Sequence, residues 1–141
     1  MTFLLRALKC CECVESLRLF GPSRWNGFFD KESWRALCDV VQHTSLEVLD
    51  VVDCGLGESE AEELATSLTN NTTLRVLRLI GNKIGEGVLA LSDVLQRNKT
   101  MRWLYLNLNG ISESTCHRVK CELKHIPYLK VDYQWVNTNN Y

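Results

Sequence analysis

The amino-acid sequence predicts an α/β solenoid, one stack of strand–turn–helix units, and three observations predict it. The stretch LRVLRLIGNKI sets apolar residues at Leu74, Leu77 and Leu79, an amide at Asn82 and an aliphatic at Ile84, so a short strand runs into a tight polar turn. The same offsets return in LEVLDVVDCGL, which begins 28 residues earlier at Leu46, and in MRWLYLNLNGI, which begins 27 residues later at Met101. A fixed period in this range marks a stacked repeat. Each copy is followed by a segment whose apolar residues recur at helical spacing. One strand and one helix cannot bury their apolar faces alone, so neighbours must cover them, and the helices supply the crossovers that parallel strands require.

Taken in order, FLLRALKCC places Phe3, Leu4, Ala7 and Leu8 on one face of a short helix, the helix of a repeat without its strand. VESLRLFGP then puts Val14, Leu17 and Leu19 on the template, with Pro22 at the amide position. This repeat carries an insertion at SRWNGFFD, Ser23 to Asp30, read as a rim loop or as a flap over the first helix, with Trp25, Phe28 and Phe29 favouring the flap. Asp30 is a good N-cap for KESWRALCDVVQ, with Trp34, Leu37, Val40 and Val41 inward. The helix of the second repeat, ESEAEELATSLTN, turns Ala61, Leu64, Ala65 and Leu68 inward and gathers glutamates at its positive N-terminal end. EGVLALSDVLQR follows with Val88, Leu91 and Leu95, and the helix of the fourth repeat, capped by Ser112, runs through Val119 and Leu123. IPYLKVDYQWV keeps the offsets at Ile126, Leu129, Val131, Gln134 and Val136 and reads as a fifth strand and turn, with Pro127 at the start of an edge strand. The chain thus reads as one domain of five repeats, approximately 14–45, 46–73, 74–100, 101–125 and 126–136, with residues 1–13 as an N-terminal helix and cap.

Composition narrows the function classes. A hydrophobic fraction of 45% with 23% charged residues is that of a folded soluble protein, and a net charge of −1 offers no bulk attraction to nucleic acid or an anionic membrane. No apolar run approaches the roughly 18 residues that span a bilayer, and MTFLLRALKCC lacks the parts of a secretory peptide, so the chain is read as cytoplasmic. Seven cysteines, an odd number without a disulfide framework, are read as reduced. Cys10, Cys11 and Cys13 contain a C-x-x-C, but a zinc site needs a second pair at ligand spacing. The sequons at Asn70, Asn71 and Asn98 are read as turn residues.

His43, His117 and His125 form neither a nucleophile–histidine–acid set nor an H-E-x-x-H, Cys116 and His117 fall on different helix faces, and GNKIGEG is a repeat turn rather than a phosphate cradle. No catalysis, cofactor, metal or small-molecule substrate is expected.

The pattern LxxLxLxxNxI followed by an amphipathic helix resembles the leucine-rich repeat of the ribonuclease-inhibitor type, from Val14 to about Val136. The resemblance implies a right-handed solenoid, a short horseshoe arc with about five parallel strands on its concave face and helices on its convex face. It also implies protein binding, as in the C-terminal regions of NOD-like receptors and in many adaptors. Recruitment of substrate to a ubiquitin ligase and GTPase activation of the Ran type, with Asn82 and Lys83 in a strand-to-helix turn, are its other implications. Cys54 and Pro22 at the amide position interrupt the asparagine ladder, and local irregularity is expected there. Asn82 and Asn109 should be buried, bonding the backbone of adjacent turns.

Function then falls to the strand residues that alternate with the core. They form three columns: Ser16, Val48, Val76, Trp103 and Tyr128; Arg18, Asp50, Arg78, Tyr105 and Lys130; Phe20, Val52, Ile80, Asn107 and Asp132. Exposed aromatic, aliphatic and Arg residues of this kind mark interaction sites. The candidate partner-binding residues are Arg18, Phe20, Asp50, Val52, Arg78, Ile80, Trp103, Tyr105, Asn107 and Lys130. The competing account is a well-paired sheet, in which β-branched and aromatic residues suit the pleat and Arg18, Asp50 and Arg78 pair across strands. The last strand's edge needs a cover, and self-association there is one way to provide it.

Overall fold

Five strands pair in parallel, in sequence order, into one sheet. The computed structural model describes residues 1–8, 10, 11, 13–21 and 30–131. Its elements are α1 (Thr2–Leu8), β1 (Ser16–Phe20), α2 (Lys31–His43), β2 (Val48–Val52), α3 (Glu58–Leu68), β3 (Val76–Arg78), α4 (Val88–Leu95), β4 (Trp103–Tyr105), α5 (Glu113–Glu122) and β5 (Tyr128–Lys130). The register aligns Leu17, Leu49, Leu77, Leu104 and Leu129 across the sheet. The helices form a second layer over the face these leucines point to, α1 on α2, α2 on α3, α3 on α4 and α4 on α5.

One apolar core runs the length of the stack. Leu46, Leu74, Met101 and Ile126 enter it before the strands, Leu49, Leu77 and Leu104 from them, and Leu56, Ile84 and Ile111 after the turns, all buried. The helices close it with the residues expected: Trp34, Leu37, Val40 and Val41; Ala61, Leu64, Ala65 and Leu68; Val88, Leu91 and Leu95; Val119 and Leu123. Asp30 caps α2 by accepting from the Ser33 N–H at 2.7 Å, and Ser112 caps α5 by accepting from the Thr115 N–H at 3.3 Å.

A polar ladder holds the strand-to-helix turns in step. The Asn82 amide nitrogen donates to Val51 O and Leu79 O, both at 2.8 Å, while its oxygen accepts from the N–H groups of Cys54 at 3.0 Å and Leu56 at 3.2 Å. Asn109 donates in the same way to Leu79 O at 2.8 Å and Leu106 O at 2.9 Å. Cys54, in the equivalent place, has its thiol within donating distance of Val52 O at 3.3 Å and Leu19 O at 3.7 Å, and its one S–H serves either carbonyl. Burial pushes that thiol up to about 11, so it stays protonated and able to donate. The backbone irregularity expected at Cys54 is absent, because the β2 turn keeps the left-handed residue of its neighbours: φ is +55° at Asp53, +72° at Gly81 and +58° at Leu108.

A second ladder, at the helix-to-strand turns, explains two of the sequons. Asn71 accepts from the N–H groups of Thr73 and Leu74 and donates to Val41 O at 2.8 Å. Asn98 accepts from Thr100 and Met101 and donates to Asn71 O at 3.1 Å. Thr73 and Thr100 add side-chain bonds to Leu46 O and Leu74 O. Asn-x-Thr here is a turn motif that ties each repeat to the one before it.

Three expectations need correction. In α1 the inward residue is Leu5, fully buried, while Phe3 and Leu4 are 87% and 56% exposed. Among the described elements the helix packs chiefly on α2, and it meets α2 along a stripe that the wider face of Phe3, Leu4, Ala7 and Leu8 does not follow. In β1, Leu17 and Leu19 are only half-buried, and among the described residues this strand pairs with β2 alone. The helix of the third repeat, EGVLALSDVLQR, is shorter than its apolar pattern, with a 3₁₀ turn at Gly85–Gly87 before α4. The Ser23 to Asp30 insertion before Asp30, and Asp132, Gln134 and Val136, lie outside the described residues.

Candidate functional site

Every strand presents its non-core residues on the face opposite the helices, and the parallel register sets them side by side. Ser16, Val48, Val76, Trp103 and Tyr128 form one row; Arg18, Asp50, Arg78, Tyr105 and Lys130 form the next. Phe20 pairs with Val52 in the third row, which Ile80 and Asn107 continue from the turns just past their strands. Gly81 N–H bonds Asn107 O at 3.1 Å and Asp53 N–H bonds Ile80 O at 3.0 Å, so the pairing extends into those turns.

The middle row is organised by Asp50, which is only 4% exposed, in contrast to the solvent-facing carboxylate expected at this position. Arg78 Nη1 lies 2.8 Å from Asp50 Oδ1 and 3.1 Å from Oδ2, and Arg18 Nε lies 3.4 Å from Oδ2. The two arginines cover the carboxylate. Arg78 also sits over the Tyr105 ring, 5.3 Å from its centroid, an arrangement that favours the cation electrostatically. In the first row the rings of Trp103 and Tyr128 stack, with centroids 5.2 Å apart and planes 5° from parallel. These contacts restrict the rotamers of the long side chains they join.

Phe20 and Tyr128 are exposed, Val52, Ile80, Trp103, Tyr105 and Asn107 are half-buried, and Arg18 and Lys130 reach solvent. The sequence columns left out the residues one step before the strands. Glu47, Arg75 and Arg102 stand next to one another there, tied by backbone bonds of 2.8 Å from Arg75 N–H to Glu47 O and from Arg102 N–H to Arg75 O. The shared offset of Arg75 in LRVLRL and Arg102 in MRWLYL was the available signal.

The histidines are dispersed. His43 Nδ1 is 2.9 Å from Asp39 O, His125 Nε2 is 3.1 Å from Leu95 O, and His117 Nε2 is 3.8 Å from Cys121 Sγ. Cys116 is buried while His117 is exposed, as their adjacent helical positions predict. Among the described residues no group of three or more His, Cys, Asp or Glu is placed to hold a metal ion, and no helix is long and apolar enough to cross a membrane.

A right-handed α/β solenoid with parallel strands lining one face, helices the other and asparagines laddering the turns defines a leucine-rich-repeat protein. The chain belongs to that class: the model described as "Leucine Rich repeat" matches residues 70–92. It is 30% identical over 110 residues to NACHT, LRR and PYD domains-containing protein 14 of Homo sapiens, covering 73% of this chain and 10% of that protein. It is 28% identical over 99 residues to NACHT, LRR and PYD domains-containing protein 5 of Mus musculus, covering 67% of this chain and 8% of that protein. The chain therefore spans about a tenth of the length of these relatives. Among solved structures, leiomodin-1 actin-binding site 2 superposes with a TM-score of 0.75 at 18% identity, over 96% of this chain and 78% of that one. The tropomodulin C-terminal domain from Caenorhabditis elegans gives 0.68 at 15% identity, over 97% and 82%. These two likenesses are of fold.

Proposed function

We propose that the chain is a non-catalytic protein-interaction module that binds a protein partner through the concave face of its sheet. The observation that carries this reading is a run of pre-ordered contacts across the sheet: Arg78 held between the buried Asp50 and the Tyr105 ring, and Trp103 stacked on Tyr128. Exposed aromatics and arginine, fixed by their neighbours, are what an interface core uses. Arg18, Phe20, Val52, Ile80, Asn107 and Lys130 border these contacts and complete the face. The similarity to NACHT, LRR and PYD domains-containing proteins favours a regulatory repeat region within a larger cytoplasmic receptor or adaptor. The GTPase-activator reading is weakened by Asn82, whose amide is committed to the turn ladder and is not free to meet a nucleotide.

Affinity capture from cell extract with wild type and a Trp103→Ala/Tyr105→Ala variant, read by mass spectrometry, tests the reading. Proteins retained by wild type and lost from a variant with unchanged circular dichroism are the expected result. Retention of the same proteins by both places binding elsewhere and overturns it.

A further inference from the structure

Charge is segregated along the concave sheet. Glu15, Glu47 and Asp50 belong to β1, β2 and the residues leading into them, where Arg18 is the one cation. The three later strands, with the residues leading into them, contain Arg75, Arg78, Arg102 and Lys130 and no acidic residue; Asp132, two residues past Lys130, lies outside the described residues. This imbalance occurs in a chain whose net charge is −1, so it runs against the average surface. Arg75 is partly neutralised by Glu47 at 3.6 Å and Arg78 by Asp50 at 2.8 Å. Arg102 and Lys130 are exposed and have no ion-pair partner among the described residues. They flank the stacked rings: Tyr128 N–H bonds Arg102 O at 3.0 Å, and Lys130 lies two residues beyond Tyr128 on the same strand.

We infer that the β3–β5 half of the concave face takes an acidic protein segment, whose carboxylates meet Arg102 and Lys130 while an apolar or aromatic side chain covers the Trp103–Tyr128 stack. This rests on the concave-face reading and adds the partner's chemistry. Two cations with no ion-pair partner among the described residues, beside a preformed aromatic surface, are complementary to carboxylates interspersed with apolar residues. Three strands at roughly 4.8 Å spacing make a short platform, about 10 Å across. A short acidic segment ends on it before reaching Glu47 and Glu15. A long polyanion such as RNA overruns it onto those carboxylates, which disfavours nucleic acid.

The test is selection of a random twelve-residue peptide library, displayed on phage, on the full chain. Enriched peptides are then synthesised and measured against wild type, Arg102→Glu/Lys130→Glu and Trp103→Ala/Tyr105→Ala, alongside a twelve-nucleotide oligouridine. The expected result is enrichment of net-negative peptides that bind the charge-reversed variant about tenfold more weakly and lose affinity as salt is raised. Arg102→Gln/Lys130→Gln, with circular dichroism of each variant, repeats the comparison should reversal disturb folding. No enrichment, neutral or basic peptides, acidic peptides indifferent to both charge variants, or tighter binding of oligouridine than of any peptide would each overturn the inference. Neutral peptides lost with Trp103→Ala/Tyr105→Ala would leave the concave face as the interaction surface and remove only its acidic preference. Peptides indifferent to every variant would remove both.

Discussion

Replacement of Asn82 by alanine isolates the ladder that keeps the repeats in register. The wild-type amide makes two donor bonds of 2.8 Å and accepts two backbone N–H groups at 3.0 and 3.2 Å, in a residue that is 4% exposed. In Asn82→Ala the N–H groups of Cys54 and Leu56 lose their shared acceptor, and Val51 O loses its donor. Leu79 O keeps Asn109 at 2.8 Å. Each buried polar group left without a partner costs about 1–3 kcal/mol, and one or more of these three recovers a partner by local relaxation or water entry. The expected loss is about 3 kcal/mol, a large share of the 5–15 kcal/mol typical of a domain. Asn109→Ala makes the internal comparison. Asn109 donates as Asn82 does, but among the described residues its buried side-chain oxygen accepts no hydrogen bond. Its loss orphans chiefly Leu106 O and should cost about 1–2 kcal/mol. Urea unfolding followed by circular dichroism measures both. A cost for Asn82→Ala equal to or below that for Asn109→Ala would refute the claim that the acceptor bonds dominate.

Leu108 holds a left-handed backbone, φ +58°, where the preceding repeat has glycine, and nearly half its surface is exposed. Asparagine tolerates this conformation better than leucine, so Leu108→Asn should stabilise by about 0.5–1 kcal/mol, seen as a raised melting temperature. A lowered melting temperature would show that the leucine contributes more by packing than it costs in strain. Acid should also weaken the fold. The Thr115 and Ser112 hydroxyls hold Glu86 below its ordinary 4.5, hydrogen bonding from Arg118 lowers Glu122, and the Ser33 N–H lowers Asp30. Carboxylates depressed in the folded state stabilise it above their ordinary pKa, and that contribution is lost as pH falls through the folded value. Unfolding midpoints should be flat above about pH 5 and decline below it, and Glu86→Gln should shallow the decline. An acid decline unchanged in Glu86→Gln would remove Glu86 from this account.

How far the sequence could be read depends on whether a residue's role is set by its own offset in the repeat or by a neighbouring repeat. The inward leucines, the helix faces of α2 to α5, the Asp30 and Ser112 caps and the buried Asn82 and Asn109 follow from offsets alone. Periodicity acts on every copy alike, so a pattern seen three times places a residue once the strand and helix are known. The rows of the concave face were legible for the same reason: parallel pairing at a constant period sets equal offsets side by side.

Tertiary structure decided what offsets cannot encode, namely the identity of the neighbour. Leu5 rather than Phe3 and Leu4 turns inward because, among the described elements, α1 packs chiefly on α2. Asp50 is buried although its position is nominally open, because the register brings Arg18 and Arg78 over it from the strands on either side. Asn71 and Asn98, plain turn residues by composition, become rungs because each turn sits within hydrogen-bond reach of the one before. The repeat pattern alone determined that this chain is a solenoid with an open sheet face. Which side chains on that face are buried, paired or left free was settled by contacts between repeats, since a side chain's burial and pairing depend on what the adjacent strand places beside it.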